Sequence, residues 1–123
     1  REQAMEAIKE MGMLCQERGK AAVIYPEGTR SRDGSLGDYR IAGASALMEA
    51  APGLPVLPAV IDGSWKVFEN NLFPIAWGTR VRVRFGTPIE RTPDEVHAAV
   101  IDQCREFAEA TLAEWHRGQP PAH

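Results

Sequence analysis

Short apolar runs alternate with amphipathic stretches along this chain, and this alternation restricts its possible folds more than any other feature. Residues 2–18 space apolar side chains three and four apart, as an amphipathic helix does, and Gly19 follows at the position of a C-cap. Apolar strands are predicted over 20–25 and 54–61, on either side of an alanine-rich helix over 41–51.

The remaining third of the chain supplies another strand and another helix. The run "RVRVRF" (80–85) alternates strictly and predicts a strand with one buried face, with its three arginines on one side. A solvated strand face and a phosphate-binding strip are the two interpretations of these arginines. The segment "TPDE" (92–95) predicts a capping box that opens a helix running close to Arg117. Residues 118–123 are expected to form a flexible tail.

This order of elements predicts an α/β fold, with a layered, at least partly parallel sheet and flanking helices. The length of 123 residues fits a single domain or part of one. A formal charge of -3 argues against a general nucleic-acid binder. No apolar stretch approaches the ~18 residues of a membrane span, so any membrane contact is expected to be peripheral or to lie outside this chain.

The decad "YPEGTRSRDG" (25–34) directly follows the first predicted strand, where ligands bind in α/β folds. Gly28 leaves room for another group to approach the backbone. Arg30 offers a planar fork of donors suited to phosphate oxygens. Glu27 can accept hydrogen bonds from a glycerol hydroxyl or fix Arg30 in place. A surface turn in which Glu27 and Arg30 simply pair with each other is the structural alternative.

The decad resembles the third sequence block of the glycerolipid acyltransferases, the lysophosphatidic acid acyltransferase family, which usually reads Phe-Pro-Glu-Gly-Thr-Arg-Ser. Tyr25 stands in place of the phenylalanine. Further similar segments follow in the family's order: "YRIAG" with Arg40, "LPVLPAVIDGS" with Pro58, and "VRVRFGTPI". The resemblance implies a partial glycerolipid acyltransferase domain, of which residues 1–123 are the C-terminal portion.

In function, the resemblance implies transfer of a fatty acyl group from acyl-CoA or acyl-carrier protein to the free hydroxyl of lysophosphatidic acid, in phospholipid biosynthesis. No metal or other cofactor is implied. The resemblance also implies that the protein is located at the cytoplasmic face of a membrane, either peripherally or anchored by segments outside this chain. Arg30 is implied to hold the acceptor's phosphate and Glu27 to place its glycerol. The substrate-binding residues expected on this basis are Glu27, Gly28, Thr29, Arg30, Arg32, Arg40 and Pro58.

The family's catalytic His-x4-Asp motif precedes the third block, but no histidine occurs before Tyr25. His97 and Asp102 have the same spacing inside the last predicted helix, where five residues at ~100° each place the two side chains about 140° apart. We therefore expect no catalytic residue in this chain, a His-x4-Asp upstream of Arg1, and no acyl transfer by the chain itself.

Other functions are compatible with the same residues. One is a non-catalytic phosphate- or lipid-binding module, a second is an acyltransferase for another lysolipid, and a third is an α/β domain with a structural Glu27–Arg30 pair. Four aromatic side chains are expected in a loop folded over the body, as core or lid residues or as an interfacial membrane patch: Trp65, Phe68, Phe73 and Trp77.

Overall fold

The computed structural model describes residues 1–29, 31–68, 74–75, 77–92 and 94–118. Within these ranges the chain forms helices and strands in the order α1 (Glu2–Arg18), α2 (Ile41–Ala50), β1 (Ala59–Asp62), α3 (Ser64–Phe68), β2 (Arg82–Phe85) and α4 (His97–Trp115). None of the helices described combines the length and hydropathy of a membrane span. The tail predicted over 118–123 lies, apart from Gly118, outside the described residues.

Helices α1 and α2 confirm the first and second predicted helices and pack against each other. Their backbones approach closely at Gly12, where an added Cβ would lie 2.7 Å from the Cβ of Ala50. Gly19 adopts the left-handed conformation and donates its N–H to the carbonyl of Cys15, so the predicted C-cap is confirmed. The absence of a side chain at position 12 thus sets the distance between the two helices.

The sheet differs from the prediction. Strands β1 and β2 pair antiparallel, with Ala59 opposite Phe85 and Ile61 opposite Val83, so the prediction of a partly parallel sheet is wrong for the strands described. An antiparallel bridge between Val56 and Ile89 extends the same pairing. This mixture of helices and a small sheet is compatible with part of an α/β domain, whereas a layered sheet with flanking helices is not confirmed.

The strand predicted over 20–25 does not form. Its residues alternate in exposure, with Val23 and Tyr25 exposed while Ile24 packs against the core. An apolar run becomes a strand only when a neighbour accepts its backbone hydrogen bonds. Neither of the two strands in the described part of the chain is paired with this segment, so it enters the following loop without joining the sheet.

The arginine side of β2 packs against α4, so it is not the fully solvated face that one interpretation of "RVRVRF" expects. Arg82 and Arg84 lie over the indole of Trp115 at 5.1 and 5.2 Å from the ring centroid. Arg82 pairs with Asp62 (3.5 Å) and Arg84 with Glu114 (2.9 Å). The long arginine stems cover the aromatic ring of α4 and their charges are neutralised there. The opposite side of the sheet leaves four apolar residues exposed: Ala59, Ile61, Val83 and Phe85.

Helix α4 begins later than its capping motif predicts. The Thr92 amide donates to a carboxylate oxygen of Glu95 (3.2 Å), and the Glu95 amide donates to the Thr92 carbonyl (3.2 Å). These two bonds close a turn, but Val96 is extended and the helix starts at His97. The other oxygen of Glu95 is occupied by Arg91. Thr92 and Glu95 are therefore bonded to each other ahead of the helix, and the Glu95 carboxylate is shared with the Arg91 side chain.

A small core joins α2 to α4. Its buried members are Ala44, Met48, Val100 and Ile101, with Ile24, Tyr39, Val56 and Ile89 packed against them. Tyr39 and Ile24 bring both ends of the loop over 25–40 onto this core. The loop that carries the decad is thus attached to α2 and α4.

Candidate functional site

The two ends of the segment over 25–40 lie close together, and we name this segment the acceptor loop after the role that the family resemblance implies for it. The Arg40 amide donates to the carbonyl of Pro26 at 2.6 Å, and the Gly28 amide donates to the carbonyl of Tyr25 at 3.0 Å. The chain enters the loop from 20–25 and leaves it directly into α2. Backbone contacts between the two ends therefore define the loop's base.

Glu27 fixes the far part of the loop. Its Oε2 accepts a hydrogen bond from the Gly37 amide at 2.7 Å, across ten residues. Gly37 has no side chain to obstruct this, since a Cβ there would lie only 3.1 Å from the same oxygen. Glu27 therefore has a structural partner that the sequence pattern did not predict. The alternative pairing with Arg30 falls on a residue outside the described ranges.

Gly28 and Arg40 lie against each other. Gly28 has φ 70°, which glycine adopts readily and other residues rarely do. A Cβ at this position would lie 3.1 Å from Cδ and 3.3 Å from Nη1 of Arg40, so the arginine side chain crosses the glycine backbone. The guanidinium is exposed beside the turn. Glycine at position 28 thus provides both the turn and the space for Arg40.

The middle of the acceptor loop is organised by Asp33. Its Oδ1 accepts hydrogen bonds from the Ser35 amide (2.9 Å) and from the Ser35 and Ser31 hydroxyls. The Ser35 bonds hold the pKa of this carboxyl below its ordinary value. Gly34 lies against the indole of Trp65, in α3. The loop thus has internal order in addition to its closed base, and two further predicted site residues, Thr29 and Arg32, are exposed on it.

Arg105 of helix α4 contacts the end of the acceptor loop. Its Nη1 donates to the carbonyl of Gly37 at 3.1 Å, and its guanidinium lies 5.1 Å from the centre of the Tyr39 ring. Burial, followed by the negative charge of Glu27, raises the pKa of the Tyr39 hydroxyl. Sequence reasoning did not find Arg105, because nothing local in a helix indicates a partner 68 residues away.

Sequence comparison identifies the protein family of this chain. The family model described as Acyltransferase matches residues 1–62, which is half of the chain and includes the whole acceptor loop. The chain belongs to the glycerolipid acyltransferase family. No solved structure gives a significant match.

Curated relatives of this acyltransferase chain are plant enzymes. It is 36% identical over 73 residues to the 1-acyl-sn-glycerol-3-phosphate acyltransferase BAT2, chloroplastic, of Brassica napus, covering 59% of the chain and 21% of the relative. It is 30% identical over 80 residues to LPAT1, chloroplastic, of Arabidopsis thaliana, covering 65% and 22%. A Cocos nucifera 1-acyl-sn-glycerol-3-phosphate acyltransferase is 25% identical over 113 residues, covering 84% and 36%. The chain thus spans about a fifth to about a third of these relatives.

Pro58 lies in a different contact region of the acyltransferase chain. Its carbonyl accepts the Gly86 amide at 2.8 Å. Its ring and that of Phe107 both lie close to Gly86, where a Cβ would be 3.1 and 3.3 Å from them. Pro58 therefore contacts the residue that follows β2, and Phe107 of α4 lies against the same glycine. By contrast, Glu27, Gly28 and Arg40 are brought together by the acceptor loop.

His97 and His116 have partners other than the His97–Asp102 pair that the spacing offers. His97 and Asp102 are both on α4, and the Nε2 of His97 lies 4.0 Å from a Glu95 oxygen. The Nε2 of His116 forms a 2.9 Å hydrogen bond with the buried carboxylate of Asp62, which also pairs with Arg82. The sequence pattern did not predict this pair, which joins residues 54 positions apart. The His116 bond fastens the end of α4 to β1.

Arg91 is a buried cation that the sequence pattern did not reveal. Its side chain is 7% exposed and it pairs with the carboxylate of Glu95. It also donates to the carbonyls of Met48 (2.9 Å), Ala51 (3.2 Å) and Leu54 (3.4 Å). In a helix the Met48 carbonyl would accept the N–H four residues on, which Pro52 lacks. Arg91 therefore replaces the donors missing at the end of α2.

Proposed function

We propose that this chain supplies the acceptor-binding part of a 1-acylglycerol-3-phosphate O-acyltransferase. The reaction transfers a fatty acyl group from acyl-CoA or acyl-carrier protein to the free hydroxyl of lysophosphatidic acid. The proposal is supported by the family, by the names of the plant relatives, and above all by the acceptor loop. That loop places the exposed Arg40 side chain against the backbone of Gly28, the residue that follows Glu27.

The chemistry follows from the charges at the loop. The acceptor carries a phosphate group, and an arginine fork donates two parallel hydrogen bonds to such oxygens. Arg40 and Arg32 are exposed on the loop, and Arg30 joins them in sequence. The Glu27 carboxylate accepts a hydrogen bond from the Gly37 amide. In this proposal Glu27 therefore acts by holding the loop that carries the three arginines. The other carboxylate oxygen of Glu27 is proposed to accept a hydrogen bond from a glycerol hydroxyl of the acceptor.

Binding of the acceptor tests the proposal directly. Titration of the chain with glycerol 3-phosphate and with monomeric lysophosphatidic acid is expected to show saturable binding. Arg40→Gln and Arg30→Gln are each expected to weaken it about tenfold, or ~1.4 kcal/mol. Arg18→Gln, an equal charge change at the exposed end of α1, is the control and should leave affinity unchanged. Equal affinity in all three variants would refute the phosphate-binding role.

The acceptor head group is tested in the same titration. Lysophosphatidylcholine has no terminal phosphate monoester, so it is expected to bind more weakly than lysophosphatidic acid. Equal binding of both would favour an acyltransferase for another lysolipid. The absence of binding to either, with the fold intact, would favour a purely structural role for the decad.

The catalytic base is expected outside this chain, so acyl transfer is tested separately. The chain mixed with acyl-CoA and lysophosphatidic acid is expected to release no CoA above the uncatalysed rate. Release that persists in His97→Gln but disappears in His116→Gln would instead assign the base to the His116–Asp62 pair. Binding without CoA release would also fit the non-catalytic lipid-binding module, which a search for His-x4-Asp in the complete reading frame distinguishes.

Peripheral contact with a membrane surface is a further part of the proposal, because both substrates are amphiphiles. Trp77 is fully exposed and Ile75 is half exposed, which suits insertion at a lipid interface. Phe73, from the predicted aromatic patch, lies outside the described residues, and Trp65 packs on Gly34 instead. Vesicles containing phosphatidic acid are expected to blue-shift the tryptophan fluorescence. An equal shift in Trp77→Ser would contradict insertion at this residue.

A further inference from the structure

The peptide groups on both sides of Gly37 are held by side chains from two different parts of the chain. The Gly37 amide donates to Glu27 within the acceptor loop at 2.7 Å, and the Gly37 carbonyl accepts from Arg105 of α4 at 3.1 Å. The Glu27 carboxylate thus restrains Gly37 through its amide, and the Arg105 guanidinium restrains it through its carbonyl. Both are charge-assisted hydrogen bonds, which are stronger than neutral ones.

Contacts with Glu109 and Tyr39 fix the orientation of the Arg105 side chain. Its Nε donates to Glu109 one turn further along α4 at 2.9 Å, and the plane lies over the Tyr39 ring. The side chain is 31% exposed, so it is partly shielded from water. A guanidinium can use Nε for one partner and Nη1 for another in one rigid plane, whereas a lysine ammonium cannot. The geometry therefore depends on arginine at this position.

The restraint acts on the part of the loop that leads to Arg40. The chain passes from Gly37 through Tyr39, which Arg105 also contacts, to Arg40, whose amide closes the base on Pro26. Arg105 lies beyond residues 1–62, to which the family model extends.

We propose that Arg105 is a positioning residue for acceptor binding, which holds the acceptor loop through Gly37 so that Glu27 and Arg40 keep their relative places. This inference rests on the proposed function. Arg105 touches neither phosphate nor glycerol in this scheme and acts only through the loop.

The test compares variants of Arg105 with one of its neighbour. Arg105→Gln is expected to weaken binding of glycerol 3-phosphate roughly fivefold, the loss of about one net hydrogen bond, and to speed hydrogen exchange of the Gly37 amide. Glu106→Gln changes a charge at the exposed position next to Arg105 on α4 and leaves Arg105 and its bonds in place, so its affinity is expected to stay within twofold of the wild type. Arg105→Lys keeps the charge without the fork and is expected to lose affinity with a melting temperature close to that of the wild type.

The outcomes separate this inference from the function on which it rests. Wild-type affinity and wild-type exchange at Gly37 in both Arg105 variants would overturn the inference alone. A wild-type chain that binds no glycerol 3-phosphate would overturn the proposed function and the inference with it. If Arg105→Gln does not fold, Arg105→Lys decides the question, because affinity that falls while the melting temperature stays unchanged separates positioning from stability.

Discussion

Replacement of Arg91 by methionine should be among the most destabilising single changes in this chain. Methionine fills a similar volume but donates no hydrogen bond. The carbonyls of Met48, Ala51 and Leu54 would each lose a donor, and among the described residues only that of Ala51 has a second, the Leu54 amide at 3.3 Å. The change also leaves Glu95 without its cation.

The magnitude follows from these lost partners. A buried polar group without a partner costs about 1–3 kcal/mol, so two carbonyls predict a loss of about 2–6 kcal/mol in the free energy of unfolding. Domains of ordinary stability unfold with only about 5–15 kcal/mol. Arg91→Lys should fall between the wild type and Arg91→Met, because one ammonium cannot serve acceptors that a planar fork reaches together.

Urea denaturation followed by far-UV circular dichroism measures the effect. Arg18→Met, at an exposed position of α1, is the control and should change stability by less than about 0.5 kcal/mol. Adding Glu95→Gln to Arg91→Met should cost less than the sum of the two single changes, since the carboxylate is then neutral before its partner is lost. A stability for Arg91→Met within about 1 kcal/mol of the wild type would refute this account of the end of α2.

Two further predictions concern stability. Gly63→Ala should lower the free energy of unfolding by clearly more than about 1 kcal/mol, since φ is 90° and a Cβ would lie 2.1 Å from the Arg80 carbonyl oxygen. Gly78→Ala, with a similar φ of 78° but nothing within 4 Å of a Cβ, is the matched control, and equal losses would contradict the clash. The hydrogen bond from Arg84 lowers the pKa of Glu114, so its contribution is present above the ordinary glutamate pKa and disappears as the pH falls through the lowered value. The stability difference between the wild type and Glu114→Gln should therefore shrink as the pH falls from about 5 to about 3, and a constant difference would contradict the pairing.

Local signals in the sequence predicted α1 and α2 well, but they missed α3, placed the start of α4 too early and predicted the sheet poorly. The spacing of apolar residues and Gly19 sufficed for α1, and the alanine-rich run sufficed for α2, because a helix satisfies its own backbone. A strand depends on its neighbour, and the segment over 20–25 stays outside the sheet because no described strand pairs with it. The alternation of "RVRVRF" was correct, but the packed side was decided by Trp115, 33 residues beyond Arg82.

The candidate site was likewise predicted only in part from the sequence. The family resemblance implied Glu27, Gly28 and Arg40 as members of one site, and the structure places Arg40 against Gly28 in the loop that Glu27 holds closed. The resemblance did not predict that the Glu27 carboxylate would be bonded to Gly37, because that contact depends on how the loop closes. Arg91 and Arg105 were missed since both act on backbone carbonyls, which no side-chain pattern records.

The free side of the two-stranded sheet affects how this chain can be handled. Ile61, Val83 and Phe85 are 45%, 51% and 65% exposed while the chain is fully folded, and apolar patches of this kind attract other apolar molecules. Fluorescent dyes that report unfolding by binding such surfaces will therefore give a signal before any melting begins. Backbone spectroscopy, which does not respond to that surface, is the appropriate way to compare variants of this chain.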